Sequence, residues 1–242
     1  HAHPPDRLKL IVQQTGAKFV ISEPVVMDSL ILDGTANILS LTDCGGSINE
    51  PGLTPCQLPS VKPTDIAFIM FTSGSTGTPK GVLIQHESIC TSIQYNGEAE
   101  MVTSSTRGLQ FSSYAFDTSV DEIFTVLSRG GCVCVPTEAE RMNHLAAFIS
   151  RFDVNWLSIT PTVARLIAPG EVPSVRTIVL GGEEIDPGVV NHWKGSCRIG
   201  CILRPGGGIH CLRCVARDEC RWRCPAWPTC GLVFVGSRSL RP

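Results

Sequence analysis

The sequence predicts an α/β protein, a layered fold with a largely parallel sheet flanked by helices. Short runs of β-propensity residues alternate with helical patterns along most of the chain. One run, Ile66–Phe71, is apolar at every position, as expected of a strand covered on both faces. A hydrophobic fraction of 43% over 242 residues supplies a core for one large domain or two small ones.

The elements follow in order. Leu8, Ile11 and Val12 form the apolar side of a short helix that Gly16 stops. Phe19-Val20-Ile21 and Ile38–Leu41 read as strands, and the Gly-, Pro-, Ser- and Thr-rich stretch 43–64 as a surface connection. The Ile66–Phe71 strand is followed by a glycine-rich loop and a short strand, Val82–Ile84. A helix starts near His86 and runs toward Gln94; Leu109–Phe111 is a strand. Asp117 or Ser119 caps a helix carrying Val120, Ile123, Phe124 and Leu127, which Gly130-Gly131 ends. Cys132–Val135 is a strand, Leu145–Phe152 a helix, and Trp156–Ile159 a strand. Pro161 opens a helix over Val163–Ile167, Thr177–Leu180 is a strand, and Pro187 begins a helix ending near Trp193.

Composition narrows the partners. A net charge of −2 argues against nucleic acid or an anionic membrane as the main partner. No apolar run reaches membrane-spanning length. The chain opens His1-Ala2-His3-Pro4-Pro5, without an initiator methionine or a signal-peptide core, which reads as an internal piece of a longer cytoplasmic protein.

The chemistry concentrates in residues 72–81, Thr-Ser-Gly-Ser-Thr-Gly-Thr-Pro-Lys-Gly. Gly74, Gly77 and Gly81 permit turns that aim successive N–H groups into one concavity. Thr72, Ser73, Ser75 and Thr76 add hydroxyl donors, and Lys80 adds a point charge on a flexible stem. Such a set holds a polyphosphate. It is not a Walker loop, because Pro79 precedes the lysine and Gly81 follows it.

The stretch Ile66–Val82 resembles the phosphate loop of the adenylate-forming (AMP-binding) enzymes: acyl-CoA synthetases, luciferases and the adenylation domains of nonribosomal peptide synthetases. Phe116-Asp117-Thr118-Ser119, followed by Val120-Asp121-Glu122-Ile123-Phe124, resembles the substrate-pocket motif of the peptide-synthetase branch. Val179-Leu180-Gly181-Gly182-Glu183-Glu184 resembles the strand end beside the adenine.

The resemblance implies ATP-dependent activation of an amino acid as aminoacyl-AMP, with Mg²⁺, and transfer to a phosphopantetheine arm on a partner carrier-protein domain. The catalytic lysine is then Lys80, with Thr72, Ser73, Gly74, Ser75, Thr76 and Gly77 around the phosphates. Gly181, Gly182 and Glu183 lie on the nucleotide side, or form an ordinary strand-to-helix turn. Asp117 pairs with the substrate's α-ammonium, caps a helix, or does both. Thr118, Asp121, Ser158, Val179 and Gly181 line the side-chain pocket, unless Asp121 is a solvated first-turn acid. His86 reads as structural, and no metal-ligating set is assigned. The enzyme alternative is an acyl-CoA synthetase-like ligase whose acid carries no amine. The alternative from another class is a non-catalytic remnant with a metal-binding tail.

The resemblance covers about Pro4 to Lys194, giving an expected partial adenylation domain over 1–196. From Cys197 onward the composition changes: seven of twelve cysteines, eight arginines, no lysine. The family places an Asn-x-Tyr-Gly-Pro-Thr-Glu loop here, and Leu203-Arg204-Pro205-Gly206-Gly207-Gly208 stands instead. Residues 197–242 therefore read as an aberrant tail, from a wrong reading frame or an unspliced intron. A zinc site is the competing reading, from Cys211-x2-Cys214, Cys220-x3-Cys224 and His210. The family's magnesium-binding glutamate, ribose-binding aspartate and C-terminal lid lysine have no match, which implies weak or absent turnover.

Overall fold

The structure, a computed structural model, describes residues 4–23, 36–40, 59–72, 79–203 and 211–215. They fall into two compact units, one running through His86 and the other starting at Glu87.

The first unit holds α1 (Pro5–Thr15) and two small sheets. Pro5 opens the helix at a position where its missing N–H is no loss, and Gly16 ends it in the left-handed region. Strands β1 (Phe19–Ser22) and β2 (Asn37–Ser40) pair in parallel. Strands β3 (Ile66–Thr72) and β4 (Lys80–Gln85) pair antiparallel. This corrects the expectation of a buried strand at Ile66–Phe71. With a single partner strand, β3 is only half-buried along its middle, and Ile66 is 44% exposed. An unalternating apolar run does not distinguish a fully covered strand from one whose two faces are each partly covered. The connection 43–64 lies outside the described residues except for 59–64, which form no regular element.

The second unit is the layered α/β body. It begins with α2 (His86–Ala99), followed by β5 (Arg107–Leu109). A helical run follows: α3 (Asp117–Val120), a π-helical turn at Asp121–Thr125, and α4 (Val126–Ser128). Then come β6 (Cys132–Cys134), α5 (Glu138–Asn143), α6 (Leu145–Arg151), β7 (Trp156–Ile159) and α7 (Pro161–Leu166). Strand β8 (Thr177–Leu180), α8 (Pro187–Trp193), β9 (Arg198–Leu203) and β10 (Cys211–Val215) complete it. The sheet order is β10-β9-β8-β7-β5-β6. Every pairing from β6 to β9 is parallel, and β10 adds antiparallel. Strand β9 starts one residue beyond the expected edge of the tail and joins β8 in register, with Cys197, Ile199 and Cys201 buried.

Strands β7 and β8 are buried at all eight positions, so their alternate residues face two different layers. Leu157, Ile159, Ile178 and Leu180 join Phe148, Ile149, Ala164, Val189 and Trp193 of α6, α7 and α8. Each such aliphatic side chain contributes about 2 kcal/mol of burial. Trp156 and Val179 face the other way, onto Val102 and Val126.

The helix expected after Asp117 forms, interrupted by the π turn. Val120, Glu122, Thr125 and Val126 are buried, whereas Phe124 and Leu127 are 43% and 53% exposed. The π turn inserts an extra residue per turn and rotates everything after it. The cap is also different. The helix begins at Asp117, and Phe116 occupies the cap position without a side-chain bond. The α5 helix was not expected, although Thr137 and Glu140 make a reciprocal capping box at its start.

Candidate functional site

The parallel strands β5, β7 and β8 end along one edge of the sheet, where α/β folds place their ligand sites. The segment leaving β5 is held by one buried carboxylate. Glu122 Oε2 accepts from the Phe111 and Ser112 N–H groups, each at 3.0 Å, and Oε1 accepts from Ser112 Oγ at 2.8 Å. Gln110 Nε2 adds a longer bond at 3.4 Å. Burial pushes the Glu122 pKa up to about 7, against the downward pull of the Ser112 and Phe111 bonds. The loop that delivers Asp117 is thus fastened to the helix that carries it.

Asp117 is the first helical residue, and its Oδ1 accepts from the Thr118 N–H at 3.0 Å. A carboxylate there is favoured by the helix dipole. Ser119 points back, its hydroxyl donating to the Phe116 carbonyl at 2.7 Å. Asp121 opens the π turn, with Oδ1 accepting from Thr125 Oγ1 at 2.6 Å and Asn96 Nδ2 at 3.3 Å. It is therefore tied to α2 and not simply a solvated acid.

Across this layer the sheet presents Trp156 and Ser158, two apart on β7 and so on one face. Ser158 lies in register with Val179 on β8, and both are buried. Glu100, just past α2, links the helix side to the sheet side. It is 1% exposed, next to the Asp121 carboxylate and the Trp156 indole. Burial raises its pKa well above the usual carboxylate range, and the Asp121 charge adds to the rise. Of the residues assigned from sequence, Asp117, Thr118 and Asp121 share one helical run, and Ser158 and Val179 share one sheet face. Glu100, Glu122, Asn96 and Trp156 were missed. Neither Glu122, which follows Asp121 directly, nor Glu100 carried a sequence signal of its role.

At the end of β8, the Gly181 N–H donates to Ile159 O at 3.3 Å. Gly182 sits at φ +83°, a conformation that excludes most side chains. Glu183 turns to α7, where its Oε2 accepts from the Thr162 hydroxyl at 2.6 Å and the Thr162 N–H at 3.0 Å. The Thr162 bonds hold its carboxyl below the usual range. These three residues make a close strand-to-helix junction.

In the first unit, Thr72 and Lys80 are paired across β3 and β4, with Thr72 Oγ1 3.5 Å from the Lys80 carbonyl. Both ends of the glycine-rich loop are thus fixed by one antiparallel pair, and the Lys80 side chain is exposed. Ser73, Gly74, Ser75, Thr76 and Gly77 lie outside the described residues. The His86 N–H donates to Asp65 O at 3.0 Å, a structural contact that opens α2. Among the described residues no group of three His, Cys, Asp or Glu is placed to hold a metal ion, and no helix is long and apolar enough to cross a membrane.

The chain is similar to fungal synthetases. It is 40% identical over 200 residues to the nonribosomal peptide synthetase atnA of Emericella nidulans, covering 82% of this chain and 3% of that protein. It is 37% identical over 234 residues to the FR901469 synthetase of a Dothideomycetidae species, covering 96% of this chain and 2% of that protein. The chain thus spans a few per cent of the length of these relatives. Its fold matches the Vibrio cholerae adenylation domain AlmE, solved with glycyl-adenosine-5'-phosphate, at a TM-score of 0.76 and 20% identity, covering 91% of this chain and 48% of that one. It also matches the peptide synthetase FmoA3 in its AMPPNP-bound form at a TM-score of 0.70 and 24% identity, covering 84% and 22%. The AMP-binding enzyme family matches residues 1–224, and the chain belongs to that family, with the peptide-synthetase adenylation domains as its relatives.

Proposed function

We propose that this chain is part of an adenylation domain that activates an amino acid as aminoacyl-AMP. The observation that carries the reading is Asp117, a carboxylate fixed at the start of α3 on the segment leaving the ligand-bearing edge of the sheet. A carboxylic acid without an amine has no use for a fixed anion there, whereas an α-ammonium entering a partly dry site needs one.

The reaction follows from the parts. The amino-acid carboxylate attacks the α-phosphorus of ATP, a new C–O–P link forms, and the bond to the β-phosphate breaks to release pyrophosphate. The protein's work is alignment and charge stabilisation. Lys80 and the N–H and hydroxyl donors of Thr72, Ser73, Gly74, Ser75, Thr76 and Gly77 hold the departing phosphates. Asp117 holds the amine of the amino acid. Thr118, Asp121, Ser158, Val179 and Gly181 select the side chain, and Gly181, Gly182 and Glu183 border the nucleotide. Magnesium would arrive on the triphosphate and offset its charge; among the described residues no group of three His, Cys, Asp or Glu is placed to hold the ion. The acyl group passes on to a carrier-domain thiol in the longer synthetase, as the relatives' identity as synthetases supports.

The test is acid-dependent exchange of pyrophosphate into ATP, measured on an intact, full-length relative that carries this same segment. Exchange driven by an amino acid and lost in Asp117→Asn is the expected outcome. Exchange driven only by fatty or aryl acids favours the acyl-CoA synthetase-like alternative.

A further inference from the structure

A carboxyl group sealed from water without a hydrogen bond is costly, unless something arrives to meet it. Glu100 is 1% exposed, and its carboxylate oxygens make no hydrogen bond of normal geometry, the donor beside them being the neutral indole N–H of Trp156. Beside it lies the indole Nε1 of Trp156, a residue 2% exposed, which likewise has no partner of normal geometry. The nearest charge is another carboxylate, that of Asp121. Asp121 already receives the Thr125 hydroxyl and the Asn96 amide. Arg129 is committed elsewhere, reaching the Gln94 carbonyl at 2.6 Å and Glu98 at 3.7 Å. Two acids therefore lie near each other, Glu100 buried and Asp121 half-buried, and the donor beside Glu100 is the uncharged Trp156 indole. Trp156 shares its sheet face with Ser158, and Ser158 is in register with Val179. These are the side-chain pocket residues of the reading above.

We propose that the pocket takes an amino acid whose side chain ends in a cation, an ω-ammonium or a guanidinium, which docks against Glu100 and Asp121. The assignment rests on the amino-acid reading and names its substrate class. The α-ammonium meets Asp117, and the second cation supplies N–H donors to the two unmet oxygens of Glu100. It also neutralises the repulsion between the two acids. A neutral aliphatic side chain would leave Glu100 as it stands, buried and unmet.

The experiment is calorimetric titration of the full chain with L-lysine, L-ornithine and L-arginine. The uncharged counterparts L-norleucine and L-citrulline are titrated alongside. At least one cationic amino acid is expected to bind about tenfold or more tightly than its neutral counterpart. Glu100→Gln should erase that margin, and Asp117→Asn should weaken every amino acid alike. If a neutral counterpart binds as tightly as the cationic one and stays sensitive to Asp117→Asn, the cation assignment is overturned while the amino-acid reading stands. If no amino acid of either class binds, both are overturned. Glu100→Gln should also melt no lower than the parent chain in the absence of ligand. A lower melting temperature would give Glu100 a structural role and overturn the proposal.

Discussion

Glu122 grips Ser112 twice, by its main-chain N–H and by its hydroxyl, with Oε2 3.0 Å from the nitrogen and Oε1 2.8 Å from the oxygen. The pair joins the segment after β5 to the helical run ten residues later. Glu122→Ala would strand buried donors and open a cavity, and should cost about 3 kcal/mol in urea unfolding. Ser112→Ala removes one bond and should cost about 1 kcal/mol. Equal, near-zero costs for both would show that the clamp does not stabilise the fold.

The same carboxyl gives the chain a pH dependence of definite sign. Glu122 titrates near 7 when folded against 4.5 otherwise, so between those values the folded state holds a proton that the unfolded state has released. Its contribution is full below about pH 4.5 and is lost as pH rises through about 7. The size is about 3 kcal/mol, and the Glu100 carboxyl acts in the same direction. Urea midpoints at pH 5.5 and pH 8 should therefore fall with rising pH, and Glu122→Gln should flatten the fall. A midpoint that rises over this range in the parent chain and not in the variant would reverse the sign argued here.

Gly108 marks where the helical run presses closest to the sheet. A Cβ there would lie 2.7 Å from Val126 Cγ2 and 3.3 Å from Trp156 Cε3. Gly108→Ala should destabilise by about 2 kcal/mol through overpacking. Because Val126 directly follows the π turn, the same change should also weaken amino-acid binding; an unchanged urea midpoint would mean that the layers are loosely packed.

Much of the body was legible from residue order. The runs Trp156–Ile159 and Thr177–Leu180 became the two central strands because their mostly β-prone, apolar residues suit burial on both faces. Ile66–Phe71 carried the same signature but formed a half-covered antiparallel pair, since local pattern does not reveal how many strands lie alongside. The run after Asp117 reads as a plain helix because a π turn has no periodic signature of its own. The helical run that carries Asp117, Thr118 and Asp121 was legible in the sequence. Glu100 was not, because its meaning comes from Asp121 and Trp156, which lie far along the chain.

The tail makes a prediction about the gene. We propose that the native chain persists through β9, whose residues pack in register against β8. Read one base later, the degenerate codons of Leu203 to Gly207 permit Tyr-Gly-Pro-Ala-Glu, close to the loop that the family places there. Read two bases later, they permit neither that tyrosine nor that glutamate. Genomic sequence across codons 198–210 should show this pentapeptide, or one differing from it at a single position, in the frame advanced by one base. Its absence would remove the frame-shift explanation.

The central claim is that the loop between Thr72 and Lys80 grips the phosphates of ATP. Titration of the chain with ATP and magnesium, beside Lys80→Met, tests it most directly. Saturable binding that weakens about tenfold in the variant is the expected result. An affinity unchanged by the loss of that ammonium, or no binding of ATP at all, would contradict it.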